Sequence, residues 1–342
     1  MRTAGAPISW GVCEVPGWGR QLDRSQVLAE MRDLGLTATE LGPYGFLPLS
    51  PTRCRAMLEG YGLRAVGGFV PVILHEPRYD PLPEVRAALR SFRDGDVGVL
   101  VLAATADEEG YDKRHAPDAQ GRDARHVPDA QGWKTLLANL KRITKAAEEF
   151  GRTVALHPHV GTVVENAEEV ERVLDGSAMP LCLDTGHLLV GGADPAGMVV
   201  RAAGRIAHVH LKDVDAGLAA RVRAGETPYA RAVREGLYRP LGRGDVDVAG
   251  VVTGLAAAGY DGWYVLEQDV MLGREDDDVP RRNMAESLAY LRELDGGSAA
   301  ASGGDAPRGD GPGDGGSAAA SGGDAPRGDG PRDGGPAAGG RR

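Results

Sequence analysis

Residues 181–187 read LCLDTGH: a short apolar run that stops on an aspartate, turns at a glycine and presents a histidine. Polar and apolar residues do not alternate in it. A strand that shows one face to water alternates, whereas a parallel strand covered on both faces reads as a continuous apolar run. The same form recurs on either side, as TVALHPH at 153–159, IAHVHLKDV at 206–214 and GWYVLEQD at 262–269. Upstream lie APISWGV (6–12), ATELG (38–42), RAVGGFVPVIL (64–74) and VGVLVLAAT (97–105). These runs predict eight buried parallel strands.

Helical segments fill the gaps between them. In 23–36, Asp23 stands at an N-cap position, Leu28, Met31 and Leu34 recur at helical spacing, and Gly35 ends the run. In 50–63, Ser50 is a cap, Pro51 takes the first helical position and Gly60 or Gly62 is a stop. Further helices are expected within 132–151, 166–176, 194–204, 247–260 and 279–294, while the gap 75–96 gives a poor helical pattern. Eight strand–helix repeats define an α/β chain of the (β/α)₈ TIM-barrel class. A doubly wound open sheet would carry a Gly-rich phosphate turn after its first strand, and GVCEVPGWG (11–19) does not fit that pattern.

The barrel is expected over 1–295. From Gly296 a 19-residue unit, GGSAAASGGDAPRGDGPGD, occurs twice with one difference. It holds no aliphatic or aromatic anchor beyond alanine, so burial cannot offset its ordering entropy, and 296–342 is expected to be a disordered tail. A second duplication, RHAPDAQGRDARHVPDAQG (114–132), reads as a long surface loop whose His115 and His126 are solvated.

Composition excludes several classes. The formal net charge of −10 argues against a nucleic-acid or anionic-membrane surface. No run reaches the roughly 18 apolar residues that span a bilayer, and the N-terminus has no apolar signal core. Three cysteines, Cys13, Cys54 and Cys182, stand far apart without a CxxC, which fits a reduced cytoplasm and no zinc ribbon. A homo-oligomer is compatible with the chain, which advertises no interface.

Active sites of such barrels form at the C-terminal ends of the strands. Five of the eight histidines fall between 157 and 210. Strand five ends in His157 and His159, strand six in Asp184 and His187, strand seven in His208, His210, Lys212 and Asp213, and strand eight in Glu267 and Asp269. One imidazole with carboxylates or further imidazoles suits Mn²⁺, Co²⁺, Zn²⁺ or Mg²⁺ with positions left for substrate. Taken singly, each has a plainer reading: His208 as a packed core residue, Asp184 as a helix N-cap, Glu267 as an ion-pair partner of Lys212. Trp10 ends the first strand and is expected to wall a pocket, Glu40 ends the second, and Arg243 sits in the Gly-rich turn PLGRGDVD (240–247).

The series LCLDTGH, HVHLKD, PLGRGDVD and YVLEQD resembles, in order and spacing, the xylose-isomerase-like superfamily of metal-dependent barrels. PISWGVCEVPGWG, ATELGPYGFLP, LHPHVGT and DTGHLLVGG resemble its inosose-dehydratase branch. The likeness covers about residues 5–295. It implies four metal ligands at His157, Asp184, His210 and Glu267, with Mn²⁺ or Co²⁺ favoured. Most isomerases and epimerases of this superfamily have Glu where His157 stands, and His159 is near enough to compete for that place. Losing one carboxylate weakens the epimerase reading and agrees with the dehydratase branch. The implied reaction is dehydration of a cyclic polyol ketone, with a sugar or sugar-phosphate isomerase or epimerase as the alternative. Lys212 and His187 are candidates for base and acid, with His159 behind them, and Glu40 and Arg243 for hydroxyl contacts. A divalent cation nearby would push the Lys212 pKa down. A non-catalytic sugar-binding barrel and an apurinic endonuclease fit less well, the second because the chain is acidic.

Overall fold

The computed structural model describes residues 1–106 and 127–301. Strands β1 (Arg2–Gly5), β2 (Ala38–Glu40), β3 (Arg64–Ile73), β4 (Val99–Thr105), β5 (Thr153–Leu156), β6 (Leu181–Asp184), β7 (Ile206–Leu211) and β8 (Trp263–Leu266) close into one parallel barrel. Each pairs with its neighbour in the chain. Pairing of β1 with β8, from Arg2 opposite Trp263 to Gly5 opposite Leu266, shuts the ring.

Eleven described helices accompany the strands: α1 (Arg24–Asp33), α2 (Pro51–Gly60), α3 (Leu82–Gly95), α4 (Ala130–Phe150), α5 (Ala167–Gly176), α6 (Thr185–Val190), α7 (Pro195–Ala202), α8 (Ala216–Arg223), α9 (Tyr229–Arg234), α10 (Val248–Ala257) and α11 (Val279–Ala301). The Asp23 side chain caps α1 by accepting from the Ser25 N–H, and Ser50 occupies the N-cap of α2 without a side-chain hydrogen bond. Helices α8 and α9 belong to an excursion after β7. There a two-stranded ribbon pairs Asp213–Val214 with Tyr238–Arg239.

Two expectations about the elements need correction. The first strand lies at Arg2–Gly5, not within 6–12, because Pro7 cannot donate to a ladder and instead opens a 3₁₀ turn over Pro7–Trp10. The weak gap 75–96 holds the 14-residue helix α3. Its prolines fall at the start, where a helix tolerates them, and Val85, Leu89 and Phe92 bury one face. Helix α11 runs on to Ala301, across the expected start of the tail at Gly296. Residues 302–342, and His115 and His126 of the internal duplication, lie outside the described residues. The second copy of that duplication is not all loop, since Asp129 caps α4 by accepting from the Gly132 N–H.

Side chains of a strand alternate between the two faces of the sheet. One set packs outward under the helices: Leu100 and Leu102 on β4, Val154 and Leu156 on β5, Leu181 and Leu183 on β6, Val209 and Leu211 on β7. The other set points into the barrel and is small: Ala4, Ala38, Val66 and Val265 in one cluster, Val101, Ala155 and Cys182 in another. This inward phase decides the site. Two residues beyond four of these small inward residues comes an ionisable one: Ala38 then Glu40, Ala155 then His157, Cys182 then Asp184, Val265 then Glu267. On β7 the inward series is His208, His210 and then Lys212, with Cys182 opposite His208 and Asp184 opposite His210.

Candidate active site

All of these inward ionisable residues are buried. Glu40, His157, His210, Lys212 and Glu267, with His159, line a cavity of about 220 Å³ at the C-terminal mouth, while Asp184 and His208 are not part of its lining. Its lining also includes the apolar side chains of Ile8, Val12, Trp18, Phe69 and Pro71.

Asp184 has two separate tasks. Its Oδ1 accepts from the His187 N–H at 2.8 Å and so caps α6. Its Oδ2 lies 3.2 Å from His157 Nε2, 3.4 Å from His210 Nδ1 and 3.6 Å from Lys212 Nζ. The helix-cap and site readings of Asp184 are therefore compatible. Glu267 Oε2 stands 3.3 Å from His210 Nδ1 and 3.0 Å from Lys212 Nζ.

His210 decides whether this cluster suits a cation. Its Nε2 lies 3.0 Å from Glu40 Oε1. A carboxylate only accepts, so Nε2 carries a proton and Nδ1 is the nitrogen that faces Asp184 and Glu267. That buried Nδ1 makes no hydrogen bond. Positive charge belongs between three such atoms. In the metal-free chain a second proton supplies it: burial works against charge on His210, yet Cys182, Glu267, Glu40 and Asp184 raise its pKa well above the ordinary value. The edges of 3.3 and 3.4 Å also match a tetrahedral shell, whose ligands at 2.0–2.1 Å from the ion sit about 3.4 Å apart. Carboxylate–histidine–metal relays of this form are common around bound metals. Asp184, His210 and Glu267 thus fit a divalent cation, and His157 borders them through Asp184.

His159 sits one layer further out. Its Nδ1 donates to the Val160 carbonyl at 2.7 Å, and its ring lies on that of His187 with centroids 3.7 Å apart. Burial holds both imidazoles well below the ordinary histidine value, so both are neutral near pH 7. Lys212 differs from expectation. Burial pulls its pKa down, but the charges of Asp184, Asp269 and Glu267 outweigh this and hold it well above the usual lysine value. A cation shared by Asp184 and Glu267 would act in the opposite direction.

Two residues expected at the substrate lie elsewhere. Trp10 is fully buried in the layer under α1, with its indole N–H donated to Glu30 at 2.8 Å, because the 3₁₀ turn rotates it away from the mouth. Trp18 takes the wall position instead. Arg243 is exposed and paired with Glu286 on α11. Its Gly-rich turn is a structural loop, since the Asp213 carboxylate accepts from the backbone N–H groups of Gly242, Gly244 and Val246. Glu40 does line the cavity, but its Oε1 accepts from both His208 and His210. His208 is no inert packing residue: it helps to fix that carboxylate.

Sequence reasoning missed Tyr229 and Tyr238. Both come from the excursion after β7, and no spacing rule links them to the strand ends. Tyr229 lines the cavity and donates to Asp269 Oδ2 at 3.0 Å.

The fold and site define a parallel (β/α)₈ barrel with a buried histidine–carboxylate centre in its C-terminal mouth. Residues 28–294 match the family described as xylose isomerase-like TIM barrel, and the chain belongs to that family. It is 32% identical to the inosose dehydratase of Geobacillus kaustophilus (strain HTA426) over 269 residues, which is 77% of this chain and 86% of that protein. It is 34% identical to the rhizopine catabolism protein MocC of Rhizobium meliloti over 266 residues, 77% of this chain and 80% of that protein. Among solved structures it resembles an L-ribulose 3-epimerase in fold, with a TM-score of 0.63 and 16% identity over 88% of this chain and 97% of that one. No described helix is long and apolar enough to cross a membrane.

Proposed function

We propose that this protein is a metal-dependent carbon–oxygen lyase that dehydrates a cyclic polyol ketone such as 2-keto-myo-inositol. The reading is carried by the meeting of Asp184, His210 and Glu267 at ligand spacing beside two neutral imidazoles and one ammonium. The similarity to an inosose dehydratase supports the substrate class. His157, Asp184, His210 and Glu267 are the residues that would hold the cation, with Mn²⁺ or Co²⁺ as the first ions to try. When bound, the cation supplies Lewis-acid polarisation of the substrate ketone.

The chain's own groups move the protons. His159 is neutral, and its Nδ1–H is committed to a backbone carbonyl, so its Nε2 carries the lone pair of a base. In this reading it takes the α-hydrogen of the ketone. Lys212 holds its proton and faces the cavity, so it serves as the acid that protonates the departing β-hydroxyl. The proton taken by His159 must then return to Lys212, and His187, whose ring lies on His159 and whose Nε2 is 3.2 Å from Lys212 Nζ, is the relay between them. The substrate loses one hydrogen from carbon and one hydroxyl, and one water leaves. The apolar wall of Trp18 and Phe69 suits the C–H face of a six-membered ring.

The test is to add 2-keto-myo-inositol to the full chain with Mn²⁺ or Co²⁺ and to follow the ultraviolet absorbance of the enol–dione product. Absorbance should grow, and EDTA should abolish it. Interconversion of a ketohexose without loss of water, together with a flat absorbance trace, would overturn the dehydratase reading in favour of an epimerase. Replacing Glu267 by Gln should remove both metal and turnover. His157→Glu examines the strand-five position, and epimerase activity appearing in that variant would support its place in the ligand set.

A further inference from the structure

The Lys212 ammonium sits in a tripod. It has three N–H donors and three acceptors: Asp269 Oδ1 at 2.7 Å, Glu267 Oε2 at 3.0 Å and His187 Nε2 at 3.2 Å. Two of these acceptors already have tasks, Glu267 toward the cation and His187 in proton transfer. Asp269 does not. It lies beyond the end of β8, is buried, and makes the shortest of the three bonds.

Asp269 is itself held from the far side. Its Oδ2 accepts from the Tyr229 hydroxyl at 3.0 Å. A carboxylate cannot donate, so Tyr229 gives its proton to Asp269 and receives one from Tyr238, whose hydroxyl lies 2.9 Å away. The Tyr238 ring in turn lies under the ammonium, with Lys212 Nζ 5.3 Å from its centroid. Space for this arrangement is made at Gly186, where a methyl group would stand 2.6 Å from Lys212 Cβ and 2.9 Å from the Tyr238 ring. The excursion after β7 therefore reaches back into the mouth and ends on one lysine.

We infer that Asp269 is the positioning residue of Lys212, and that Tyr229, braced by Tyr238, positions Asp269. The inference deepens the dehydratase reading by giving the excursion a part in the reaction. A cation shared by Asp184 and Glu267 would draw on two of the three carboxylates around Lys212. Asp269 is the one that remains its own.

Two measurements on the full chain test this, one of them independent of the substrate. A buried, hydrogen-bonded lysine ammonium exchanges its protons slowly and gives its own ¹H–¹⁵N signal, identified by its loss in Lys212→Met. That signal should vanish in Asp269→Asn and shift in Tyr229→Phe; an unchanged signal in Asp269→Asn overturns the inference. In the dehydration assay, Asp269→Asn should lower kcat about 100-fold, the scale of a displaced catalytic group, with KM held within about threefold. Tyr229→Phe should lower kcat about tenfold. The double variant Lys212→Met with Asp269→Asn should be no slower than Lys212→Met alone, and additive losses would overturn the inference. Should Asp269→Asn fail to fold by circular dichroism, Tyr229→Phe, which removes one oxygen, decides by the same signal and the same split of kcat from KM. Should the unmodified chain not dehydrate the ketone, the lyase reading falls while the ammonium signal still judges Asp269.

Discussion

Glu40 and His210 meet across the barrel mouth, Oε1 to Nε2 at 3.0 Å, although 170 positions separate them in the chain. That contact fixes which nitrogen of His210 is left for Asp184 and Glu267. His208 holds the same carboxylate oxygen at 2.7 Å, so Glu40 cannot swing away. Glu40→Gln removes the charge and lets an amide N–H face the histidines. Affinity for Mn²⁺ or Co²⁺, measured by titration calorimetry, should fall between about 10- and 100-fold, the usual cost of losing an outer partner of a ligating histidine. Unaltered affinity would show that Glu40 does not set the His210 tautomer.

The same contact sets a steric demand on β3. A methyl group at Gly67 would stand 2.6 Å from Glu40 Oε1 and 3.0 Å from His208 Nε2. Both groups are locked, so neither can yield cheaply. Gly67→Ala should therefore destabilise the fold by about 1–3 kcal/mol in urea denaturation, as overpacking does, and weaken metal binding as well. A variant with unchanged stability and unchanged affinity would mean that Glu40 has room to move.

The inward series was legible in the sequence because it repeats one rule: apolar run, small residue, ionisable residue two places on. Ala155 with His157, Cys182 with Asp184 and Val265 with Glu267 all follow it, and strand period places each pair on one face. Trp10 was misplaced because an apolar run containing Pro7 does not show whether it is a strand or a 3₁₀ turn. Arg243 was misplaced because a Gly-rich turn looks the same whether its N–H groups wait for a ligand or for Asp213. Tyr229 and Tyr238 were invisible, since their place depends on how an irregular excursion packs back. No local pattern encodes that.

The position of Arg243 gives a sharp negative expectation. Its side chain is 69% exposed and its partner Glu286 lies on the outer helix α11. Exposed pairs of this type contribute about 0–1 kcal/mol. Arg243→Ala should leave KM and kcat for the ketone unchanged and move the urea midpoint only slightly. A rise of tenfold or more in KM would return Arg243 to the substrate and overturn its placement.

Acid should weaken the metal-free fold through its buried histidines. Histidines in the unfolded chain titrate near about pH 6.5. Burial holds His159 and His187 well below that in the folded chain, and it also lowers His157. Between those folded values and about pH 6.5, the unfolded state binds protons that these three refuse, so stability falls with falling pH. His210 has the opposite sign. Its raised pKa contributes stability that is complete below about pH 6.5 and is lost as pH rises through its folded value. Three groups oppose one, so the balance favours a loss on acidification from about pH 7 to about pH 5.5. Urea midpoints of the EDTA-treated protein at about pH 7.0, 6.3 and 5.5 should fall in that order. The double variant His159→Gln with His187→Gln should flatten the trend, because two of the three refusing groups are gone. Midpoints that climb as the solution is acidified would mean that the imidazoles are charged inside the barrel, and His159 would then have no lone pair to act as a base.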